Sequence, residues 1–360
     1  MVSPTMRPPA TLPEPIAREV DLRRLASWME ARGLGRGPVT HAEPLTGGTQ
    51  NIMLRVVQGG RTYVFRRPPA NPRPFSQDAL RREARVLGAL AGTRVPHPRL
   101  VASEPDEAAL GYAFLLMEMV DGFNPGEGLP ARHRAEPDLR RRMGESYVDA
   151  LADLAEVDVR AVGLSDIGRG GSFLARQVPQ WRGHLERYAA VPGWRAGDLP
   201  HANALAGWLE RHRPADAAPG LIHGDCHLGN TLFARDSGEI AALVDWEMST
   251  VGDPRLDLGW VMATWPFLGA GETDDATIGL PLAPRDGFPT LDALVARYAA
   301  RTSRRLDAAP WFGVLACFKL GVLLEGTRVR ALAGKADAAV GDRLHGAAVR
   351  LMARGRRWAV

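Results

Sequence analysis

The sequence predicts an α+β chain, with a strand-rich first third followed by a larger and mostly helical remainder. Three observations carry this. Residues 52–57, 62–67 and 114–120 are strand-like apolar runs, punctuated by Gly59-Gly60 and Pro68-Pro69. Beyond Gly122, apolar residues recur at helical spacing over long segments. One stretch, residues 221–245 (LIHGDCHLGNTLFARDSGEIAALVD), interrupts the helical pattern with two strand-like runs split by a turn. Strands first and helices later is the order of an α+β protein.

Length and composition narrow the class. At 360 residues the chain can bury a large core in two lobes. Apolar content of 45% and charged content of 24% are ordinary for a soluble globular protein. No uninterrupted apolar run reaches the roughly 20 residues that span a bilayer. The Pro-rich start, MVSPTMRPPATLPEP, lacks the apolar segment of a secretory signal. Two cysteines, Cys226 and Cys317, make no disulfide framework and suit a reducing cytoplasm. Net charge is +4, and of the 45 basic residues only Lys319 and Lys335 are lysines. The positive charge is mild and diffuse. It favours an anionic ligand, and nothing in it marks a nucleic-acid surface or a membrane partner.

Taken in order, residues 1–20 read as a disordered tail. Asp21 is placed to cap a helix whose Leu22, Leu25, Trp28 and Met29 share a face and which ends at Gly33. Gly47 and Gly48, in PLTGGTQN, form a turn between strand-like segments; taken alone, such a turn is a plain hairpin. Arg66 is the penultimate residue of the strand 62–67. Ser76 is the expected N-cap of a helix over 76–90 with Leu80, Ala84, Leu87 and Leu90 inward. The run 114–120 is a buried strand that stops at Asp121-Gly122, where the domain boundary falls. Residues 21–121 and 122–360 are thus the two domains. Helices follow at 139–157, with Met143, Tyr147, Leu151 and Leu154 inward, and at 173–188, 201–212, 290–300, 310–332 and 337–352. A Trp at helical spacing, such as Trp181, is more often core than substrate-facing.

The interrupted stretch carries the chemistry. A hairpin turning at Arg235-Asp236-Ser237-Gly238 would bring Asp225, Asn230 and Asp245 to one end of a ribbon. Phosphoryl transfer needs an acceptor for the proton of the attacking hydroxyl and oxygen ligands for Mg²⁺. Asp225 suits the first role; Asn230 and Asp245 suit the second. An Asp, an Asn five residues later and an Asp after the next hairpin is the spacing of the protein-kinase catalytic loop, here with Gly224 inside the His223-Gly224-Asp225 triplet.

HGDCHLGN, followed by VDWE and GDPRLDLGW, resembles the aminoglycoside phosphotransferase and choline kinase-like family. Within it the chain is most similar to the branch related to the kinase-like domain fused to acyl-CoA dehydrogenases, over roughly residues 45–334. The resemblance implies a bilobal protein kinase-like fold, with a small antiparallel β lobe plus helix and a larger helical lobe holding the catalytic hairpin. It implies ATP and Mg²⁺ as cofactors. Gly47, Gly48, Thr49 and Asn51 would approach the phosphates, although Gln50 stands where the family commonly has Ser. Arg66 stands at the place of the phosphate-binding lysine, as in that branch; the lesser alternative is a surface strand arginine. Glu83, on the pattern R-E-x-x-x-L, would be its partner. Backbone groups near Glu118 and Met119 would read adenine. Asp245 and Asn230 would hold the metal, Asp225 would act as base, and His227 occupies the position of the kinase loop lysine. Asp253 and Asp257 would brace the loop. Gln177 and Trp181 match the branch's R-Q-x-x-x-W segment; Ala155 departs from the family's L-x-x-L-H, so no role passes to it.

The expected function is therefore an ATP-dependent kinase of a hydroxylated small molecule, hydroxyacyl-CoA among the candidates, cytoplasmic, and a monomer or homodimer. Two alternatives are a pseudokinase that binds nucleotide without turnover and an aminoglycoside-type enzyme, for which Glu272, Asp274 and Asp275 would be the acidic candidates. A metallophosphatase also uses a GDxHG motif, but the upstream and downstream ligand motifs of that chemistry are missing from the sequence.

Overall fold

The computed structural model describes residues 20–45, 51–69, 71–72, 75–168, 171–269, 272–273, 280 and 282–359. The chain separates into two compact units. The first comprises residues 1–92 and 97–121, the second 93–96 and 122–360.

In the first unit, helix α1 (Leu22–Ala31) precedes strands β1 (Val39–Pro44), β2 (Ile52–Gln58) and β3 (Arg61–Arg67). Helix α2 (Ser76–Leu90) and strands β4 (Leu100–Glu104) and β5 (Phe114–Glu118) complete it. The five strands form one antiparallel sheet in the order β1-β2-β3-β5-β4. Alternation decides the packing. Leu54 and Val56 of β2 and Phe65 of β3 turn inward, onto Leu25 and Met29 of α1 and Phe114 of β5, and all six are essentially fully buried. Asp21 caps α1 by accepting from the N–H groups of Arg23 and Arg24, so the helix starts where its sequence says it should. Gln58 is buried and donates to the carbonyls of Ala26 and Gly37, tying sheet to helix. The start of α2 differs from expectation. Phe75 holds its N-cap position, Ser76 is already helical, and no side chain caps the end. Asp78 in the first turn supplies the favourable charge instead.

In the second unit a short helix α3 (Ala131–Ala135) leads into α4 (Pro137–Ala155), α5 (Phe173–Ala189) and α6 (Ala202–Arg211). Four short strands follow: β6 (Gly220–Ile222), β7 (Thr231–Phe233), β8 (Ile240–Leu243) and β9 (Thr250–Gly252). Helix α7 (Arg255–Thr264), a small ribbon of β10 (Phe267–Gly269) and β11 (Glu272–Thr273), and helices α8 (Leu291–Arg301), α9 (Ala309–Leu332) and α10 (Ala338–Gly355) complete the unit. β7 and β8 are the expected hairpin, irregular at Leu232/Phe233. The apolar run at Leu221 does not extend it; β6 pairs with β9, Leu221 opposite Val251.

Helix α9 is the spine of this unit. It is apolar on every face, and its residues 311–322 are all buried. Its length and mean hydropathy of 1.3 would also fit a membrane span, but 78% of that window is covered by the rest of the protein, so it packs as a core helix. Gly259 lets α7 lie directly on it, because a Cβ there would run into the Phe312 carbonyl. That close approach brings Asp257 and Trp260, one turn apart on α7, up against α9.

Candidate active site

Strand β6 delivers the loop. Leu221 and Ile222 are fully buried, so the strand is anchored and residues 223–225 emerge from a fixed point. Gly224 has φ 86°, and a Cβ on it would lie 2.7 Å from the Met248 carbonyl oxygen. Only glycine makes this turn without displacing the chain opposite. The buried carboxylate of Asp257, in the first turn of α7, accepts from the backbone N–H of His223 at 2.7 Å and of Gly224 at 3.0 Å. Burial lifts the Asp257 pKa above its usual value, with His223 and these two donors opposing.

His223 is a strut. Its Nε2 lies 3.0 Å from the Val244 carbonyl, and its Nδ1 is 3.4 Å from the backbone N–H of Asp225. Nε2 therefore donates and Nδ1 accepts, which is the neutral tautomer, and burial pushes the ring's pKa down in agreement. The ring also packs on Trp246, 4.6 Å between centroids. One imidazole thus joins the loop before Asp225 to the residue before Asp245.

The Asn230 amide N–H₂ donates to the Asp225 carbonyl at 2.8 Å and to its Oδ2 at 3.1 Å. With nitrogen facing Asp225, the amide oxygen points elsewhere and is left for another ligand. The N–H of Val244 donates to the Asn230 carbonyl at 3.0 Å, so Asn230 and Asp245 sit side by side at the open end of the hairpin. Asp245 is left-handed, φ 68° and ψ 63°, a strained state for a residue other than glycine and one that concentrates at functional sites. Asp225 has its pKa pushed up to about 7, by burial first and by the Asp245 charge second, with Lys319 and Asn230 opposing and Glu247 adding. A carboxylate poised near neutrality can take a proton and give it up again.

His227 lies 3.8 Å from the Asp225 carboxylate, but burial holds its ring at a pKa of about 4. It therefore stands beside Asp225 as a neutral imidazole rather than as an ion-pair partner. Cys226 is fully buried, its Sγ donating to the Asp257 carbonyl, and burial raises its thiol pKa well above the ordinary value. Such a thiol is no nucleophile. Asp253 grips the neighbouring Arg255 through both oxygens, at 3.0 and 2.7 Å, and stays off the loop. Gln177 is buried and donates back to Phe173 of its own helix, while Trp181 is buried against α9.

Three contributors escaped the sequence reading. The Tyr147 hydroxyl donates to the Cys226 carbonyl, bracing the loop from α4. Lys319 acts electrostatically on Asp225 and sits over the Trp260 ring, and it is 8% exposed. A lysine inside the apolar run of α9, in a chain with only two lysines, was the available signal.

In the first unit, Arg66 and Glu83 form an ion pair at 3.1 Å with side chains 5% and 1% exposed. Arg66 is therefore no surface arginine. Neighbouring Arg67 is also buried and stacks on Tyr112. Glu118 and Met119 fall at the end of β5, where the Glu118 N–H is taken by the Arg99 carbonyl and the Met119 side chain is exposed. Asn51 immediately precedes β2, whereas Gly47, Gly48 and Thr49 lie outside the described residues, as do Asp274 and Asp275.

Among the described residues no group of three or more His, Cys, Asp or Glu could hold a metal ion. The donor set at the hairpin is instead one amide oxygen and one carboxylate. That suits Mg²⁺, which keeps several waters and shares phosphate oxygens.

The sequence profile of the phosphotransferase enzyme family matches residues 41–294. The chain belongs to this family. Acyl-CoA dehydrogenase family member 11 of Gallus gallus is 31% identical to this phosphotransferase over 303 residues, 81% of the chain and 37% of that protein. The chain spans only about a third of the length of such curated relatives. A Ralstonia eutropha crystal structure provisionally described as an aminoglycoside phosphotransferase is 27% identical, with TM-score 0.77, covering 94% of this chain and 98% of its own. A ternary complex of a thermostable mutant of aminoglycoside phosphotransferase APH(4)-Ia with ADP and hygromycin B shares the fold at TM-score 0.58 and 15% identity, over 91% of this chain and 97% of that one. The fold is the kinase-like α+β one, with an antiparallel sheet unit and a helical unit.

Proposed function

We propose that this phosphotransferase is an ATP-dependent kinase that moves the γ-phosphoryl group to the hydroxyl of a small metabolite, with hydroxyacyl-CoA compounds among the candidates. The arrangement of Asp225, Asn230 and Asp245 at the open end of one hairpin carries this reading. Asp225 orients the acceptor hydroxyl and takes its proton as the new P–O bond forms and the bond from the γ-phosphorus to the bridging oxygen breaks, releasing ADP. Asn230 fixes the Asp225 carboxylate through its amide N–H₂ and, with Asp245, would hold Mg²⁺. Bound there, the metal would supply positive charge to the phosphate oxygens. Asp257, His223 and Tyr147 keep the loop from yielding when the acceptor arrives.

Arg66 would grip the α- and β-phosphates in place of lysine. Its guanidinium is held by Glu83, as the kinase lysine is by its helix glutamate, and a planar fork suits two phosphate oxygens. The buried thiols, with no disulfide between them, support a cytoplasmic setting. A single-turnover assay with γ-labelled ATP and a library of hydroxylated metabolites tests the reading. Wild type should label an acceptor and Asp225→Asn should not. Tight ATP binding with no labelled product from the whole library would instead favour a nucleotide-binding pseudokinase.

A further inference from the structure

The second unit contains a buried lysine that the mechanism above does not use. Lys319 leaves the middle of α9, between the buried Phe318 and Leu320, and keeps only 8% of its surface exposed. Its ammonium makes no hydrogen bond or ion pair with any described residue. Its walls are two indole faces, Trp260 at 5.4 Å and Trp181 at 5.8 Å from Nζ to the ring centroid. Neither wall can accept a hydrogen bond at its edge, since the two indole N–H groups are themselves buried donors without partners. Burial pushes the Lys319 pKa down, while the carboxylates of Asp225 and Asp257 oppose this without either forming an ion pair with it. The oxygens of Asp257 are engaged by His223 and Gly224, and Oδ2 of Asp225 by Asn230.

Such an ammonium is expensive. Desolvation penalises its charged form, and a cation over an aromatic face recovers only part of that penalty. The balance is restored when an anionic oxygen enters. Because Lys319 also acts electrostatically on Asp225, that anion would lie near the reacting hydroxyl.

We propose that Lys319, walled by Trp181 and Trp260, anchors a carboxylate on the phosphoryl acceptor, so that the acceptor is a free hydroxy acid rather than its CoA thioester. Calling the ligand the acceptor rests on the kinase reading; that Lys319 binds a carboxylate does not. Binding is therefore measured on the full chain without nucleotide, by tryptophan fluorescence and thermal shift. The probes are lactate, 3-hydroxybutyrate and 5-hydroxypentanoate, each against its matched diol: 1,2-propanediol, 1,3-butanediol and 1,5-pentanediol. Wild type should prefer at least one acid over its diol. Lys319→Met, which keeps the length and packing of the side chain, should bind that acid about 10- to 100-fold more weakly, as for loss of a charged hydrogen bond. It should bind the diol and ATP as before. Lys319→Arg should retain the preference for acid, and decides the matter if the Met variant fails to fold. A purely structural lysine would change the melting temperature without changing the acid–diol ratio. Equal binding of acid and diol by wild type, no acid binding at all, or undiminished acid binding by a folded Lys319→Met would overturn the assignment. Failure of ATP turnover with acid binding intact would count against the kinase reading alone.

Discussion

Replacing Asp225 with Asn should abolish transfer and, in the same protein, raise stability. Asp225 is partly buried beside Asp245, and its pKa is displaced from 3.8 to about 7. A raised carboxylate stabilises the fold while it is protonated. That contribution is complete below the unfolded pKa of about 4 and is lost as pH rises through about 7. Three units correspond to about 4 kcal/mol at 1.36 kcal/mol each. With the side chain 31% exposed, solvent relaxes much of this, and about 1–2 kcal/mol is the reasonable gain. Asn keeps the shape and an acceptor for Asn230 but cannot ionise. In EDTA, scanning fluorimetry of wild type and Asp225→Asn should give matching melting temperatures near pH 4. The variant should gain a few degrees by pH 8, at roughly 2–4 °C per kcal/mol. Mg²⁺ should narrow the gap, because a cation at Asn230 and Asp245 offsets the repulsion. A difference that stays flat from pH 4 to 8, or a variant less stable at pH 8, would refute the argument that burial and Asp245 raise Asp225.

Glu83→Gln leaves the buried Arg66 charge facing a neutral amide; it should cost about 3 kcal/mol in denaturant unfolding and weaken ATP in equilibrium titration, with acceptor binding unaffected. Asp257→Asn turns an amide N–H₂ toward one of two backbone donors, so kcat should fall at least about tenfold in steady-state kinetics and the midpoint of thermal unfolding should drop. At Asp245 the two simplest variants should diverge. Gly and Ala should both abolish Mg²⁺-dependent turnover on the proposed mechanism, but Asp245→Gly should be about 1 kcal/mol more stable than Asp245→Ala by chemical denaturation, since only Gly takes φ 68° freely.

Much of the site was legible because its chemistry is local in sequence. The interval from Asp225 to Asn230 and the turn at 235–238 let the hairpin be read before any coordinate. The helix start was legible where a cap was unambiguous, as at Asp21. It was not where two neighbours could serve: Ser76 resembles a cap, and Phe75 takes the position. A surface role for Arg66 could be dismissed only with burial in hand, since β3 alternation alone permits either face.

What the sequence determined by itself was the class of the protein and the residue types at its centre, because turn chemistry, periodicity and the spacing of three oxygen-bearing side chains act over a few residues. What the tertiary structure decided was the environment of those residues. Asp257 is 32 positions from Asp225 along the chain and Lys319 is 94, and only the packing of α7 and α9 brings their charges to bear on it. Proton affinity depends on burial and on neighbours through space. Whether Asp225 is an ordinary carboxylate or a base poised near neutrality, and whether Lys319 is solvated or enclosed between two indoles, is therefore written in how the helices pack rather than in any motif.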